Sequence, residues 1–287
     1  MTIGHKSHNE APTQYVDVQG TRFAYRRLGL ESGVPLVLLQ HFRGTMDRWD
    51  PLVTDGLGKT RPVILFDNRG VGLSGGETPT SVEAMARDAE AFIEALQLAQ
   101  VDVLGFSLGG YAAQELALAR PDLVRRLILA GTGPRGGHGM QEFSAEVGAA
   151  ATRDEGRPFL FFAQTPTSQA AAQSFLARTS ERKHDVDPTS TVQTMQAQGQ
   201  ALGAWGEAAS HDAYMERLRR LVPPTLVVNG SNDIMVPTIN AFDLAQAIPK
   251  AQLVIYPDAG HGAFIQYAGL FVEHATLFLT RNDTGLA

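Results

Sequence analysis

The sequence contains no cysteine among its 287 residues. It therefore cannot form a disulfide, bind a metal through thiolates or use a cysteine as a nucleophile. It also lacks a block of lysine or arginine residues, and its net charge at pH 7 is −6, so the composition does not indicate a nucleic-acid or anionic-membrane partner. No apolar run approaches the roughly 18 residues of a membrane span, and the N-terminus has no apolar signal-peptide core. These absences predict a cytoplasmic protein that binds neither nucleic acid nor membrane.

Apolar residues are abundant enough for a large buried core. Hydrophobic residues make up 44% of the chain and charged residues 19%. Short β-rich runs alternate with segments of helical period, which predicts an α/β fold. Strands are expected in an edge hairpin at 15–26 and at 36–39, 62–67, 101–104, 126–130, 225–229 and 252–256. Helices are expected at 81–98, 111–119, 238–247 and 270–279, and Thr80 with Glu83 has the spacing of a capping box at the start of the first.

The alternation of strands and helices stops after Gly131. From there to about Leu221 no strand pattern appears, and several alanine-rich helical stretches take its place. The dipeptide Pro223-Pro224 then precedes the next strand pattern. The sequence thus predicts one α/β domain in two parts, 1–132 and 222–287, interrupted by an all-helical insertion at 133–221.

A serine lies at a tight predicted turn. Residues 105–109 form a G-x-S-x-G pattern around Ser107, between a β-rich run and a helix. A serine at such a turn has a strained backbone, which small flanking residues must accommodate. Gly105 and Gly109 are these residues, and a Cβ at either position is expected to collide with the neighbouring strand or helix. The pattern resembles the nucleophile elbow of the α/β-hydrolase family, and the resemblance covers nearly the whole chain. It looks closest to the branch of lidded esterases, lactonases and cofactor-free haloperoxidases (perhydrolases). This implies a mostly parallel central sheet with helices on both faces and a helical cap.

The family resemblance also implies a base and an acid for the serine. In this family the serine, the acid and the histidine follow one another along the chain. His261 lies in a glycine-rich loop just after a predicted strand, so it is the expected base. Asp233 follows strand 225–229 in an arrangement similar to that of the family's acid. Asp258 competes for this role, but it precedes His261 by only three residues and is expected to cap the loop.

Two backbone N–H groups are expected to form an oxyanion hole. The Leu108 N–H lies at a predicted helix start, where it can point at a negative oxygen. The resemblance implies a second donor in the loop after strand 36–39, where Phe42 keeps the family's aromatic position. Gln40 and His41 replace the usual His-Gly there, and His41 is expected either to offer a polar group to the pocket or to brace the loop.

A second glycine pattern, G-x-G-x-x-G at 70–75, follows a predicted strand. A dinucleotide site would require a helix that opens there and an acid at the end of a second strand. The next helix begins only near Ser81, and the resemblance assigns Asp67 and Arg69 structural roles in this turn. No two histidines stand at metal-ligand spacing. The sequence therefore predicts neither a cofactor nor a metal.

We expect Ser107, His261 and Asp233 to hydrolyse a carboxylic ester or lactone through an acyl-enzyme. Hydrolysis of a C–C bond in a diketone-like product of aromatic degradation is one alternative. A ligand receptor with slow turnover on the same fold is another.

The insertion is expected to supply a mainly apolar pocket for a small neutral ester or lactone. Its cationic run, Arg178, Arg182 and Lys183, is expected to be solvated. The sequence leaves the oligomeric state open. Candidate pocket residues are His41, Phe143, Phe162 and Trp205.

Overall fold

The computed structural model describes residues 6–281; the ends of the predicted segments 1–132 and 222–287 lie outside this range. One eight-stranded sheet runs through the described part, in the order β1-β2-β4-β3-β5-β6-β7-β8. The strands are β1 Gln14–Val18, β2 Thr21–Gly29, β3 Leu36–Leu39, β4 Pro62–Phe66, β5 Val101–Phe106, β6 Val124–Ala130, β7 Thr225–Gly230 and β8 Ala251–Tyr256.

The sheet is parallel from β4 to β8, and only the hairpin β1–β2 runs antiparallel to its neighbours. Every residue of β3, β4 and β5 is buried, as expected for strands covered on both faces. Successive side chains of β3 alternate between two hydrophobic clusters, with Val37 and Leu39 in one and Leu36 and Leu38 in the other. The prediction of a mostly parallel, doubly covered sheet is confirmed.

Helices cover both faces of the sheet. Helices α2, α3 and α9 pack into one hydrophobic cluster, and α1, α10 and α11 pack into the other. These helices are α1 Pro51–Gly58, α2 Val82–Ala95, α3 Leu108–Ala119, α9 Ile239–Ala247, α10 Ala263–Gln266 and α11 Ala268–Thr280. Within residues 6–281, none of the helices is long and apolar enough to cross a bilayer.

Two helix starts differ from the sequence prediction. Helix α2 is capped by Ser81, whose hydroxyl accepts a hydrogen bond from the Ala84 N–H, and not by the predicted capping box of Thr80 and Glu83. Helix α3 begins at Leu108, three residues before the predicted start at 111, because the turn after β5 is a single residue long. The second difference matters for the site, since it places Ser107 directly at a helix N-terminus.

Only helices and loops lie between β6 and β7. The five α-helices of this segment are α4 Ala145–Ala151, α5 Arg157–Phe161, α6 Pro166–Thr179, α7 Val192–Trp205 and α8 His211–Leu218. The segment has the all-helical character that the sequence predicts for 133–221. Its role as a separate cap stays a prediction.

The cationic run that begins in the last turn of α6 corrects one expectation. Arg178 donates from Nε and Nη2 to the Asp50 carboxylate at 2.8 and 2.6 Å. Arg182 is buried and donates to the carbonyl oxygens of His8 and Ala11 at 3.0 and 2.9 Å. The prediction of a solvated run is therefore wrong for these two arginines, which join the insertion to the core, whereas Lys183 is exposed.

Candidate active site

Ser107 occupies the one-residue turn between β5 and α3. Its φ of 54° and ψ of −118° are strained for a residue with a side chain. The surrounding backbone holds this conformation, because the Ser107 N–H donates to the Ala130 carbonyl at 3.0 Å and the Ser107 carbonyl accepts from the Thr132 hydroxyl at 3.0 Å. The turn thus fixes the predicted nucleophile at the carboxyl end of the sheet.

The two flanking glycines are required by close backbone approaches. A Cβ on Gly105 would lie 2.4 Å from the Gly109 carbonyl oxygen. A Cβ on Gly109 would lie 2.1 Å from the Leu39 carbonyl oxygen of β3. These distances are far below van der Waals contact, so the expectation that side chains here would collide with the neighbouring strand or helix is confirmed.

Asp233 and His261 form a buried pair. His261 Nδ1 lies 2.8 Å from Asp233 Oδ2, and both side chains are almost fully excluded from solvent. The other Asp233 oxygen accepts from the N–H groups of Met235 and Val236 at 2.8 and 2.9 Å. Since Nδ1 of His261 is paired with Asp233, Nε2 is the ring nitrogen that can exchange a proton with another group.

The competing acid, Asp258, contacts the insertion through its carboxylate. Its carboxylate accepts a hydrogen bond from the Thr165 hydroxyl at 2.8 Å, and its carbonyl accepts from the Gln266 side chain at 2.7 Å. Asp258 has a positive φ of 49°, which places it in a tight turn. These contacts give it the loop-capping role that its sequence position suggests.

The loop after β3 is folded by the unusual glutamine. Gln40 Oε1 accepts from the His41 N–H at 2.9 Å, and Gln40 Nε2 donates to the Thr45 carbonyl at 2.7 Å. A Cβ on Gly44 would overlap the Gln40 side chain, at 2.3 Å from its Cγ. Gln40 therefore spans the loop that carries Phe42.

The predicted oxyanion donors lie on this loop and on α3. Leu108 is the first residue of α3, so its N–H has no acceptor within the helix. Among the described residues, the Phe42 N–H also donates to no other group. Both donors are thus available to a ligand oxygen.

His41 is buried beside these donors and is neutral. Its Nδ1 lies 2.8 Å from the Phe42 carbonyl oxygen, which can only accept, so the proton is on Nδ1 and Nε2 is an acceptor. Burial lowers the pKa of His41 to about 3. Nε2 is buried and has no hydrogen-bond partner among the described residues. His41 therefore both braces the loop and retains an unpaired acceptor.

Two cavities meet at Ser107. The larger, of about 470 Å³, lies beneath α4 and α7. The smaller has a volume of about 50 Å³, and His261 and His41 line it together with Ser107. We call them the apolar cavity and the arginine chamber. Ser107, Phe42, Ala151 and Met235 line both of them.

Comparison with known proteins identifies the family of this chain. A family model described as alpha/beta hydrolase fold matches residues 34–268. The chain belongs to the α/β-hydrolase family. A solved α/β-hydrolase fold protein from Chitinophaga pinensis is 43% identical, with a TM-score of 0.91 over 96% of this chain and 100% of that chain.

Two further relatives have more specific names. Est816, a solved structure described as an N-acyl homoserine lactone degrading enzyme, is 25% identical with a TM-score of 0.71, over 92% of this chain and 99% of its own. The 2-hydroxymuconate semialdehyde hydrolase of Pseudomonas sp. strain CF600 is 28% identical over 88% of this chain and 89% of its own. These two relatives are thus named for different substrates.

The second glycine pattern of the hydrolase is a structural turn. The Asp67 carboxylate accepts from the N–H groups of Met46 and Leu73, each at 2.9 Å, and Arg69 donates to Asp88. A Cβ on Gly72 would lie 2.2 Å from Asp67 Oδ2, so this glycine is needed to let the turn close on the carboxylate. Within residues 6–281, no group of three or more metal-binding side chains is placed to hold an ion.

The predicted pocket residues of the hydrolase divide into two groups. Phe143 lines the apolar cavity, and His41 lines the arginine chamber. Phe162 and Trp205 line neither cavity and are 2% and 1% exposed. Phe162 packs on Phe175, which is why it points into the interior of the insertion.

Trp205 points into the protein for a similar reason. Its ring stacks on Tyr111, with centroids 5.0 Å apart, and meets the ring of Tyr214 edge-on. The prediction that Phe162 and Trp205 line the pocket is therefore corrected. Both are packing residues.

No sequence pattern indicates the charge of the arginine chamber. Among the described residues, four arginines line it, and Asp154 is its only acidic lining residue. Two of them lie in the run Arg153-Asp154-Glu155-Gly156-Arg157, which has mixed charge and is typical of a solvated surface. The expectation of a neutral, mainly apolar substrate accounts for the apolar cavity but not for this chamber. The four arginines are Arg43, Arg48, Arg153 and Arg157.

Proposed function

We propose that this hydrolase cleaves a carboxylic ester or lactone through an acyl-enzyme on Ser107. The observation that carries the proposal is the Asp233–His261 contact at 2.8 Å, in a chamber that Ser107 also lines. It supplies a histidine with one nitrogen held by a carboxylate and the other able to accept a proton from the serine.

In the first half-reaction, His261 Nε2 takes the proton of the Ser107 hydroxyl as Oγ attacks the substrate carbonyl carbon. The carbonyl oxygen becomes an oxyanion, which the N–H groups of Phe42 and Leu108 stabilise. His261 then gives its proton to the departing alkoxide, and the acyl group stays on Ser107. In a lactone the new alcohol remains attached to the acyl chain.

In the second half-reaction, water gives a proton to His261 and attacks the acyl carbon. The Ser107–acyl bond breaks, His261 returns the proton to Ser107, and the carboxylic acid leaves. The carboxylate of Asp233 stabilises the imidazolium formed in both halves and keeps its ring oriented. Two N–H donors hold the second Asp233 oxygen, which fixes the carboxylate for this role.

The apolar cavity supports an apolar group on one side of the scissile bond. Met140, Phe143, Val147 and Leu202 are among its lining residues. We also propose that 133–221 acts as a cap, since it supplies residues to both cavities. The relative described as degrading N-acyl homoserine lactones supports lactones as one substrate class.

A second candidate is hydrolysis of a C–C bond in a diketone-like compound by the same residues. The relative named for 2-hydroxymuconate semialdehyde favours it. One panel tests both candidates: p-nitrophenyl esters of increasing chain length, N-acyl homoserine lactones of increasing chain length and 2-hydroxymuconate semialdehyde.

We expect repeated turnover of an ester or lactone by the wild-type protein and loss of turnover in Ser107→Ala. Turnover of the semialdehyde alone would replace the proposal with the second candidate. A single turnover or none with every compound would contradict both candidates and favour a ligand receptor.

A further inference from the structure

The arginine chamber has more positive charge than its own acid can neutralise. Asp154 accepts from Arg43 Nη2 at 3.2 Å and from Arg48 Nη2 at 2.7 Å, so each of its carboxylate oxygens already has an arginine partner. Arg43 also donates from Nη1 to the Ala151 carbonyl at 3.1 Å. Two arginines thus pair with the only acidic group that lines the chamber in the described part of the chain, whose full net charge is −6.

Arg157, in the same chamber, has no carboxylate partner among the described residues. Its Nε donates to the Asp154 carbonyl oxygen at 3.1 Å, whereas its Nη1 is buried and has no hydrogen-bond partner among the described residues. Burial, and after it the charge of Arg48, lowers the pKa of Arg157 to about 10, so the guanidinium remains charged at neutral pH. A buried cationic donor without a partner is costly, and an anionic ligand would remove that cost.

The chamber has room for a small anionic group. Its volume of about 50 Å³ is several times the roughly 10–15 Å³ that a single water needs on the same measure. A planar guanidinium pairs bidentately with the planar fork of a carboxylate, which is a smaller group than a tetrahedral phosphate. His41 also lines the chamber, but it is neutral and offers an acceptor, so the attraction for an anion comes from the arginines.

Ser107 lines both cavities, and the four arginines line only the smaller one. We infer that the substrate is an ester or lactone with two unlike arms: a short arm that ends in a carboxylate, which pairs with Arg157 in the arginine chamber, and an apolar arm that occupies the apolar cavity. This inference rests on the proposed function and narrows its substrate class.

Matched pairs of esters test the inference. In the first pair, mono-p-nitrophenyl glutarate is compared with p-nitrophenyl butyrate, so that the carboxylate is on the acyl side. In the second pair, 4-carboxyphenyl butyrate is compared with phenyl butyrate, so that it is on the leaving group. We expect the wild-type protein to prefer the carboxylated member of one pair by about 10- to 100-fold in kcat/KM, mainly through KM, as one charge-assisted contact implies. Added salt should reduce this ratio.

Substitutions at Arg157 should change the ratio. Arg157→Gln should abolish most of the preference, and Arg157→Lys, which keeps the charge, should retain part of it. The matched control is Arg135→Gln, because Arg135 pairs with Glu83 and lines neither cavity. The control should keep the wild-type ratio. A wild-type preference that survives in Arg157→Gln would overturn the role of Arg157.

The experiments can contradict this inference while the proposed function still holds. If Ser107-dependent turnover is equal within both pairs or favours the neutral members, the carboxylate arm is wrong and the ester hydrolase stands. If 4-phosphonophenyl butyrate is preferred to 4-carboxyphenyl butyrate, the choice of carboxylate is wrong. If no ester or lactone of either kind is turned over, both proposals are contradicted.

Discussion

Asp233 holds His261 through a 2.8 Å contact between Oδ2 and Nδ1, while its Oδ1 accepts two backbone N–H groups. The second set of contacts fixes the carboxylate independently of the histidine. The orientation of His261 therefore depends on an acid that the end of β7 already positions.

The first prediction compares the two candidate acids. Asp233→Asn should lower kcat by roughly 10⁴-fold, because an amide in this position favours the wrong tautomer of His261. The matched control is Asp258→Asn, which keeps an acceptor for the Thr165 hydroxyl and lies in the same region of the fold. It should lose less than about tenfold. A larger loss in Asp258→Asn than in Asp233→Asn would reverse the assignment.

The second prediction concerns the length of the apolar group. Gly199 lines the apolar cavity from α7, and a Cβ added there meets no atom within 4 Å. Gly199→Leu should therefore fold normally and narrow the cavity, lowering kcat/KM for p-nitrophenyl octanoate by about 10-fold or more relative to the acetate. Steady-state kinetics on the two esters gives the octanoate-to-acetate ratio of kcat/KM for the wild-type protein and for the variant.

The matched control for this change is Gly269→Leu. Gly269 lies on α11, also meets no atom with an added Cβ, and lines neither cavity. Both substitutions remove a glycine from a helix, so both should favour folding by up to about 1 kcal/mol. Only Gly199→Leu should change the preference for chain length. An equal change in both variants would contradict the assignment of this cavity to the substrate.

The third prediction concerns stability in acid. His8 is buried, with Nδ1 2.9 Å from the Thr54 hydroxyl. Burial, and after it the charge of Arg26, lowers the pKa of His8 to about 4. In the unfolded chain His8 is protonated below about pH 6.5, whereas in the folded chain it stays neutral until about pH 4. His8 therefore contributes stability that is present above pH 6.5 and lost as the pH falls to about 4.

Urea unfolding of the wild-type protein and His8→Asn at several pH values between 7 and 4 measures this effect. The free energy of unfolding should fall less steeply with decreasing pH in the variant, by up to about 1.4 kcal/mol per pH unit, which corresponds to one proton. Parallel curves for the two proteins would show that His8 is not the group that titrates.

The local parts of the candidate site were readable from the sequence. The turn at Ser107 follows from a β-rich run, a helix and two glycines at fixed spacing, and the close approaches of Gly105 and Gly109 explain why no other residue fits. The contact of Asp233 with His261 is not local. It was expected only because the family resemblance implies an order along the chain.

The pocket was harder to predict because periodicity does not show which buried surface a residue meets. Trp205 is an aromatic residue of the insertion, as is Phe143, yet it packs on Tyr111 while Phe143 lines the apolar cavity. Arg157 was missed for another reason. It lines a chamber together with Arg43 and Arg48, which are distant in sequence and pair with its neighbour Asp154.

The central claim, that Ser107 is the nucleophile, is tested most directly by labelling with a fluorophosphonate followed by peptide mass mapping. The native protein should carry one label, on Ser107. His261→Gln should label far more slowly, because the serine loses its base. Ser107→Ala should carry no label and should lose on the order of 10⁶-fold in kcat, if the three residues act as a unit. A label on a different serine, or undiminished ester turnover in Ser107→Ala, would contradict the account.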